Sequence, residues 1–98
     1  MRILGTFPKQ PNEIRDYDVS FADYLAQRDD TPRVVSPVSV EVDPGIVVDS
    51  FLLLDGVVKV FLSGGVDGES YNVKVTLNTT GGRRVEGDIV IRVKEYGR

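Results

Sequence analysis

The chain has 98 residues, 41% hydrophobic and 28% charged, with a net charge of −3 and with no Cys, His or Trp. That length supports one domain whose fold buries roughly 60 to 70% of the surface an unfolded chain exposes. The missing residue types exclude zinc sites, iron–sulfur clusters, thiol nucleophiles and every His-based acid/base arrangement, and no cofactor is expected. The net negative charge is the wrong sign for a module that neutralises phosphates, so nucleic acid is not an expected partner. Charge is evenly spread as well: residues 1–33 hold five basic and six acidic groups, and residues 34–98 hold seven and nine. The longest apolar run, Phe51-Leu52-Leu53-Leu54, is far short of a membrane span, and no signal-peptide pattern opens the chain.

Residues 1–13 contain Gly5, Pro8 and Pro11 and show no sustained period, which predicts an extended N-terminal arm ahead of a domain covering 14–98. Ile3, Leu4 and Phe7 are apolar residues on that arm. They are candidates for docking on a neighbouring subunit, with a disordered arm as the equal alternative. From Arg15, Tyr17, Val19 and Phe21 alternate with Asp16, Asp18 and Ser20, the period of a half-buried strand. Phe21, Tyr24 and Leu25 are spaced for one helical turn before Asp29-Asp30-Thr31-Pro32.

Alternation then predicts a strand from Val34 to Val42, with Pro37 placing it at an edge or a bulge. Asp43-Pro44-Gly45 is a turn. Ile46–Leu54 and Val57–Leu62 flank Asp55-Gly56, a strong hairpin signal. Ser63–Ser70 is a glycine-rich loop in which Gly64, Gly65 and Gly68 permit positive φ. It lacks the Gly-Lys-Ser/Thr ending of a phosphate cradle. The turn acids Asp43, Asp49, Asp55, Asp67 and Glu69 lack calcium-loop spacing and are expected to bond nearby backbone. Tyr71–Thr79 alternates cleanly, Gly81-Gly82 turns the chain, and Ile89, Ile91 and Val93 mark the last strand. Six strands without a long helix predict an all-β fold, a single antiparallel sandwich or small barrel.

The hairpin Tyr71-Asn72-Val73-Lys74-Val75-Thr76-Leu77 through Gly81-Gly82-Arg83 resembles the last hairpin of immunoglobulin-like and fibronectin-III-like sandwiches, in which a Tyr opens a central strand. Asp16-Tyr17-Asp18-Val19-Ser20-Phe21, then Leu62-Ser63-Gly64-Gly65 through Tyr71-Asn72-Val73, then Thr79-Thr80-Gly81-Gly82-Arg83, together resemble small proteins of about 100 residues encoded among the virion-structure genes of tailed bacteriophages and prophages. The resemblance implies an immunoglobulin-like, non-catalytic virion protein of the head, neck or tail. It would assemble in the host bacterial cytoplasm and act through contacts with other virion subunits, self-association included. The contact candidates are Ile3, Leu4, Phe7, Gly64, Gly65, Asp67, Arg83 and Arg84. The alternative is a carbohydrate- or surface-binding β-sandwich module, which needs an exposed aromatic platform. Membrane contact is not expected.

Overall fold

A computed structural model describes residues 3–95. Seven strands and one short helix follow in the order β1 (Ile3–Lys9), β2 (Arg15–Ser20), α1 (Ala22–Gln27), β3 (Val38–Val42), β4 (Ile46–Leu54), β5 (Val57–Gly64), β6 (Ser70–Asn78) and β7 (Arg84–Val93). They form two sheets, β1-β7-β6-β3 and β2-β5-β4, packed as the expected β-sandwich. Every ladder is antiparallel except that of β1 with β7, which is parallel.

Alternation fixes which face of each strand turns inward. In the second sheet Tyr17 and Val19 stand opposite Val60 and Val58, and all four are buried. In the first, Tyr71, Val73 and Leu77 stand opposite Ile91, Ile89 and Val85, with Val75 opposite Gly87. Val58, Val60, Leu62, Val73, Val75, Leu77 and Ile91 have no exposed surface at all. Each such aliphatic side chain contributes about 1.5–3 kcal/mol by leaving water. That burial, rather than any single polar contact, holds the two layers together.

The helical turn expected after Phe21 is α1, only six residues long and without a side-chain cap. It survives because Leu25 is buried and because the Phe21 N–H donates to the Gly56 carbonyl at 2.8 Å, which pins the helix start to the β4–β5 turn. That turn is the Asp55-Gly56 hairpin, with φ of +52° and +79° at its two central residues.

Two expectations change. The strand foreseen from Val34 begins only at Val38: Val34 and Val35 are exposed, and Ser36 has φ +49°, which breaks an extended run. Pro37 stands directly before β3, and β3 is an edge strand, as its proline requires. The segment expected to be a free or partner-docked arm instead carries β1, paired through Gly5–Lys9 to Ile89–Val93 of the same chain. Strand addition of residues 3–9 takes place inside the domain's own sheet. The cause is non-local, a partner strand some 80 positions away that no local period reveals.

Candidate interaction surfaces

The loop between β5 and β6 is held by its own backbone. Gly65 N–H donates to Gly45 O at 3.0 Å, Val66 N–H to the Tyr71 hydroxyl at 2.9 Å, Gly68 N–H to Val93 O at 2.8 Å and Glu69 N–H to Val66 O at 3.0 Å. Donors that a phosphate would need are thus already engaged. Gly65 has φ +97°, and a Cβ there would lie 2.6 Å from Val93 Cγ2, so close packing as well as backbone conformation calls for glycine. Asp67 Oδ1 accepts from Glu95 N–H at 2.9 Å, fastening the end of β7 to the loop.

Beside this loop lies a half-open groove of about 640 Å³ between β1 and the end of β7. Phe7 and Pro8 form one wall, and Asp67, Glu69, Arg92 and Lys94 bring both signs of charge to its rim. The groove therefore joins two of the sequence candidates, Phe7 and Asp67. Phe7 is only partly exposed, because its ring packs on Tyr17 with centroids 5.8 Å apart.

Underneath, at the end of β1, Lys9 is fully buried. Its Nζ donates to the carbonyls of Gly64 at 2.6 Å and Gln10 at 2.8 Å, with Pro11 at 3.5 Å. Gly64 is thus an acceptor for a buried ammonium. Burial pushes the Lys9 pKa down, opposed by the charges of Glu13 and Asp49. Tyr17 donates to Pro8 O at 2.8 Å, and burial raises its pKa. Lys9 escaped notice in the sequence. Its one signal was its place on the inward series Gly5, Phe7, Lys9, which is visible only once β1 is known to be a strand.

Arg83 and Arg84 lie at the opposite end of β7, Arg83 in the turn after β6 and Arg84 as the first residue of β7. Arg83 Nη1 is 2.8 Å from Asp30 Oδ2, and Asp30 Oδ1 also accepts from the N–H groups of Thr31 at 2.9 Å and Gly81 at 3.0 Å. The Thr79 hydroxyl first, then the Arg83 guanidinium and the backbone of Thr31 and Gly81, hold the Asp30 carboxyl well below the ordinary carboxylate range. Arg83 is therefore a structural clasp, whereas exposed Arg84 reaches only Asn78 Oδ1 at 3.2 Å. Leu4 sits apart from both groups, in a shallow depression with Phe21, Tyr24 and Val85. Ile3 contributes backbone to β1, and its side chain lies outside the described residues.

Two of the remaining turn acids are occupied as well. Asp43 Oδ2 accepts from Asn72 N–H at 2.8 Å and Asp49 Oδ1 from the Ser63 hydroxyl at 3.0 Å. Among the described residues no group of three or more acidic side chains is placed to hold a metal ion. Tyr17, Phe21 and Tyr71 are buried, and the ring of Tyr24 is covered by the Arg28 guanidinium at 4.1 Å. No helix among the described residues is long and apolar enough to cross a membrane.

Among solved structures, the titin M3 domain superposes with a TM-score of 0.54 at 10% sequence identity, over 96% of this chain and 93% of that one. That likeness shows the immunoglobulin-like fold. Tyr71, at the start of β6 with its hydroxyl bonded back to Val66, is the corner tyrosine of such a sandwich. No curated protein matches. The family model described as podophage GP4 fiber-tail adaptor protein gp77 matches residues 9–92, from the buried Lys9 to the groove residue Arg92. With that match over most of its length, the chain belongs to the podophage GP4 fiber-tail adaptor family and is a structural protein of the phage tail.

Proposed function

We propose that this chain is a non-catalytic adaptor that holds a tail fibre on the tail body of a podophage through protein–protein contacts. The family match over residues 9–92 carries this reading. A role in head decoration or at the neck gains no support from it. The geometry is compatible with two partners. The Phe7–Asp67–Arg92 groove and the Arg84 turn lie at opposite ends of β7, so one chain presents two separate surfaces. The mixed charges at the groove rim suit a polar peptide surface.

Assembly in the host cytoplasm followed by incorporation into the virion is part of the same proposal, as is the lack of any nucleic-acid or membrane partner. The test is a phage carrying a deletion of the gene, complemented in trans. Particles made without the chain are expected to show filled heads and tails but no fibres by negative-stain microscopy, and complementation restores the fibres. Particles that keep their fibres without the chain overturn the proposal.

A further inference from the structure

A guanidinium has five N–H donors, no acceptor and a permanent charge, so arginines that converge without carboxylates make a surface suited to an anion. Three arginines converge on a depression of about 270 Å³ between the segment preceding β3 and the β6–β7 turn. Arg33, Arg83 and Arg84 line it together with Asn78, Thr79 and Gly82. Arg83 shares its charge with Asp30, but Arg33 and Arg84 have no carboxylate partner among the described residues. Lys59, by contrast, is neutralised by Asp16 and Asp18, both at 3.0 Å.

Both unpaired arginines are held in place by neutral acceptors. Arg33 Nε donates to Val35 O at 2.7 Å and Nη2 to Ser36 O at 3.0 Å, and Arg84 Nε donates to Asn78 Oδ1 at 3.2 Å. Arg33 Nη1 and the two Arg84 Nη atoms donate to no group among the described residues. The acceptors of the lining, meanwhile, are already engaged. Asn78 O accepts from Arg33 N–H at 2.9 Å, Asn78 Oδ1 from Arg84, Thr79 O from Gly82 N–H at 3.2 Å and Thr79 Oγ1 from Arg83 N–H at 3.1 Å. No heavy atom lies within 4 Å of where a Cβ on Gly82 would stand, so the mouth is open on that side.

An open depression that offers donors and positive charge, with its acceptors engaged, fits a ligand that is negative and all acceptor. We infer that it is a carboxylate-binding site, which takes an Asp or Glu side chain of a protein partner in the tail against the guanidiniums of Arg33 and Arg84. A planar carboxylate matches the planar guanidinium fork, and the contact is charge-assisted. A phosphate backbone suits the surroundings less well. Glu86 is exposed two places along β7 from Arg84 and the chain carries a net charge of −3, so phosphates beyond the first would be repelled. The inference rests on the adaptor reading for the source of the carboxylate. Its test uses the isolated chain, so its failure is distinct from particles that keep their fibres without the chain.

The test is a chemical-shift titration of the isotopically labelled chain with the capped tripeptide acetyl-Gly-Glu-Gly-amide. Saturable shifts are expected at the amides of Asn78, Gly82 and Arg84 and at the Nε signals of Arg33 and Arg84, with a dissociation constant on the order of 1 mM, the strength of one small contact. The neutral peptide acetyl-Gly-Gln-Gly-amide leaves these signals in place. Arg84→Gln and Arg33→Gln each weaken binding about tenfold, as loss of a hydrogen bond between charged groups does. Arg92→Gln, exposed at the far end of β7, binds as the wild type does. The inference is overturned if the shifts do not saturate, if the neutral peptide produces them equally, or if a folded Arg84→Gln protein binds as tightly as the wild type. A thymidine oligonucleotide that moves the same signals at lower concentration overturns it in favour of nucleic acid. Signals that move with protein concentration alone overturn it in favour of a second copy of this chain.

Discussion

Asp30 and Arg83, 53 positions apart, form a 2.8 Å ion pair that fastens the segment after α1 to the turn between β6 and β7. The Asp30 pKa is lowered from 3.8, so the unfolded state takes up this proton before the folded state does. The stability it supplies is fully present above about pH 4 to 5 and is lost as pH falls through the folded value. Asp30→Asn is expected to melt at lower temperature than the wild type at pH 7. The gap should narrow as pH is lowered from about 5 toward 2, a range over which the unfolded wild-type chain takes up the proton while the folded Asp30 still holds its charge. Melting curves followed by circular dichroism across that range check the prediction.

Lys9 gives the opposite pH signature. Its folded pKa lies below 10.5, so between that lowered value and 10.5 the unfolded state holds more of the proton. Stability contributed by this group therefore rises with pH through that window, while below the window the cost of burying the ammonium is present in full. Lys9→Met removes the rise. It also leaves the carbonyls of Gly64 and Gln10 without their donor, an expected loss of about 1–3 kcal/mol at pH 7. Denaturant titrations of both proteins at pH 7 and at alkaline pH measure the two effects.

The corner at Tyr71 separates a hydrogen bond from a packing constraint. Tyr71→Phe deletes the acceptor for Val66 N–H and is expected to cost about 0.5–1.5 kcal/mol. Gly45→Ala is expected to cost more, about 1–3 kcal/mol, because Gly45 has φ +109° and a Cβ would meet Tyr71 Cε1 at 2.8 Å. Equilibrium unfolding orders the two variants.

Arg83 and Arg84 are adjacent in sequence and unlike in role. Arg83→Ala strips the partner from a nearly buried carboxylate and lowers the melting temperature. Arg84→Ala stays within about 0.5 kcal/mol of wild type, as surface substitutions do. If the turn is a contact in the tail, Arg84→Ala weakens fibre retention in complemented particles while leaving the isolated domain as stable as before.

Legibility in the sequence followed locality. β6 and the β4–β5 hairpin were readable to within a residue or two because alternation and the Asp55-Gly56 turn are written in neighbouring positions. The alternation of Val34, Ser36 and Val38 misled for the complementary reason. Val34 and Ser36 have the spacing of a strand but no strand beside them to complete a ladder. β1 was missed because its ladder lies with β7, and the Asp30 clasp because its partners Thr79, Gly81 and Arg83 converge only after both sheets close. Of the candidate contacts, Phe7 and Asp67 share a groove. Gly64, Gly65 and Arg83 have structural roles as well, which polypeptide spacing does not reveal, because a glycine that accepts a buried lysine looks like any other in sequence.

The parallel ladder of β1 and β7 carries a mechanical consequence. Because the first and last strands run the same way, a pull applied to the domain through its two chain ends acts along the ladder and in opposite directions on its two strands. The bonds from Gly5 to Lys9 are then loaded together in shear, instead of opening one after another as an antiparallel pair peeled from one end would. Loaded in that way, the ladder makes the domain a stiff link in tension.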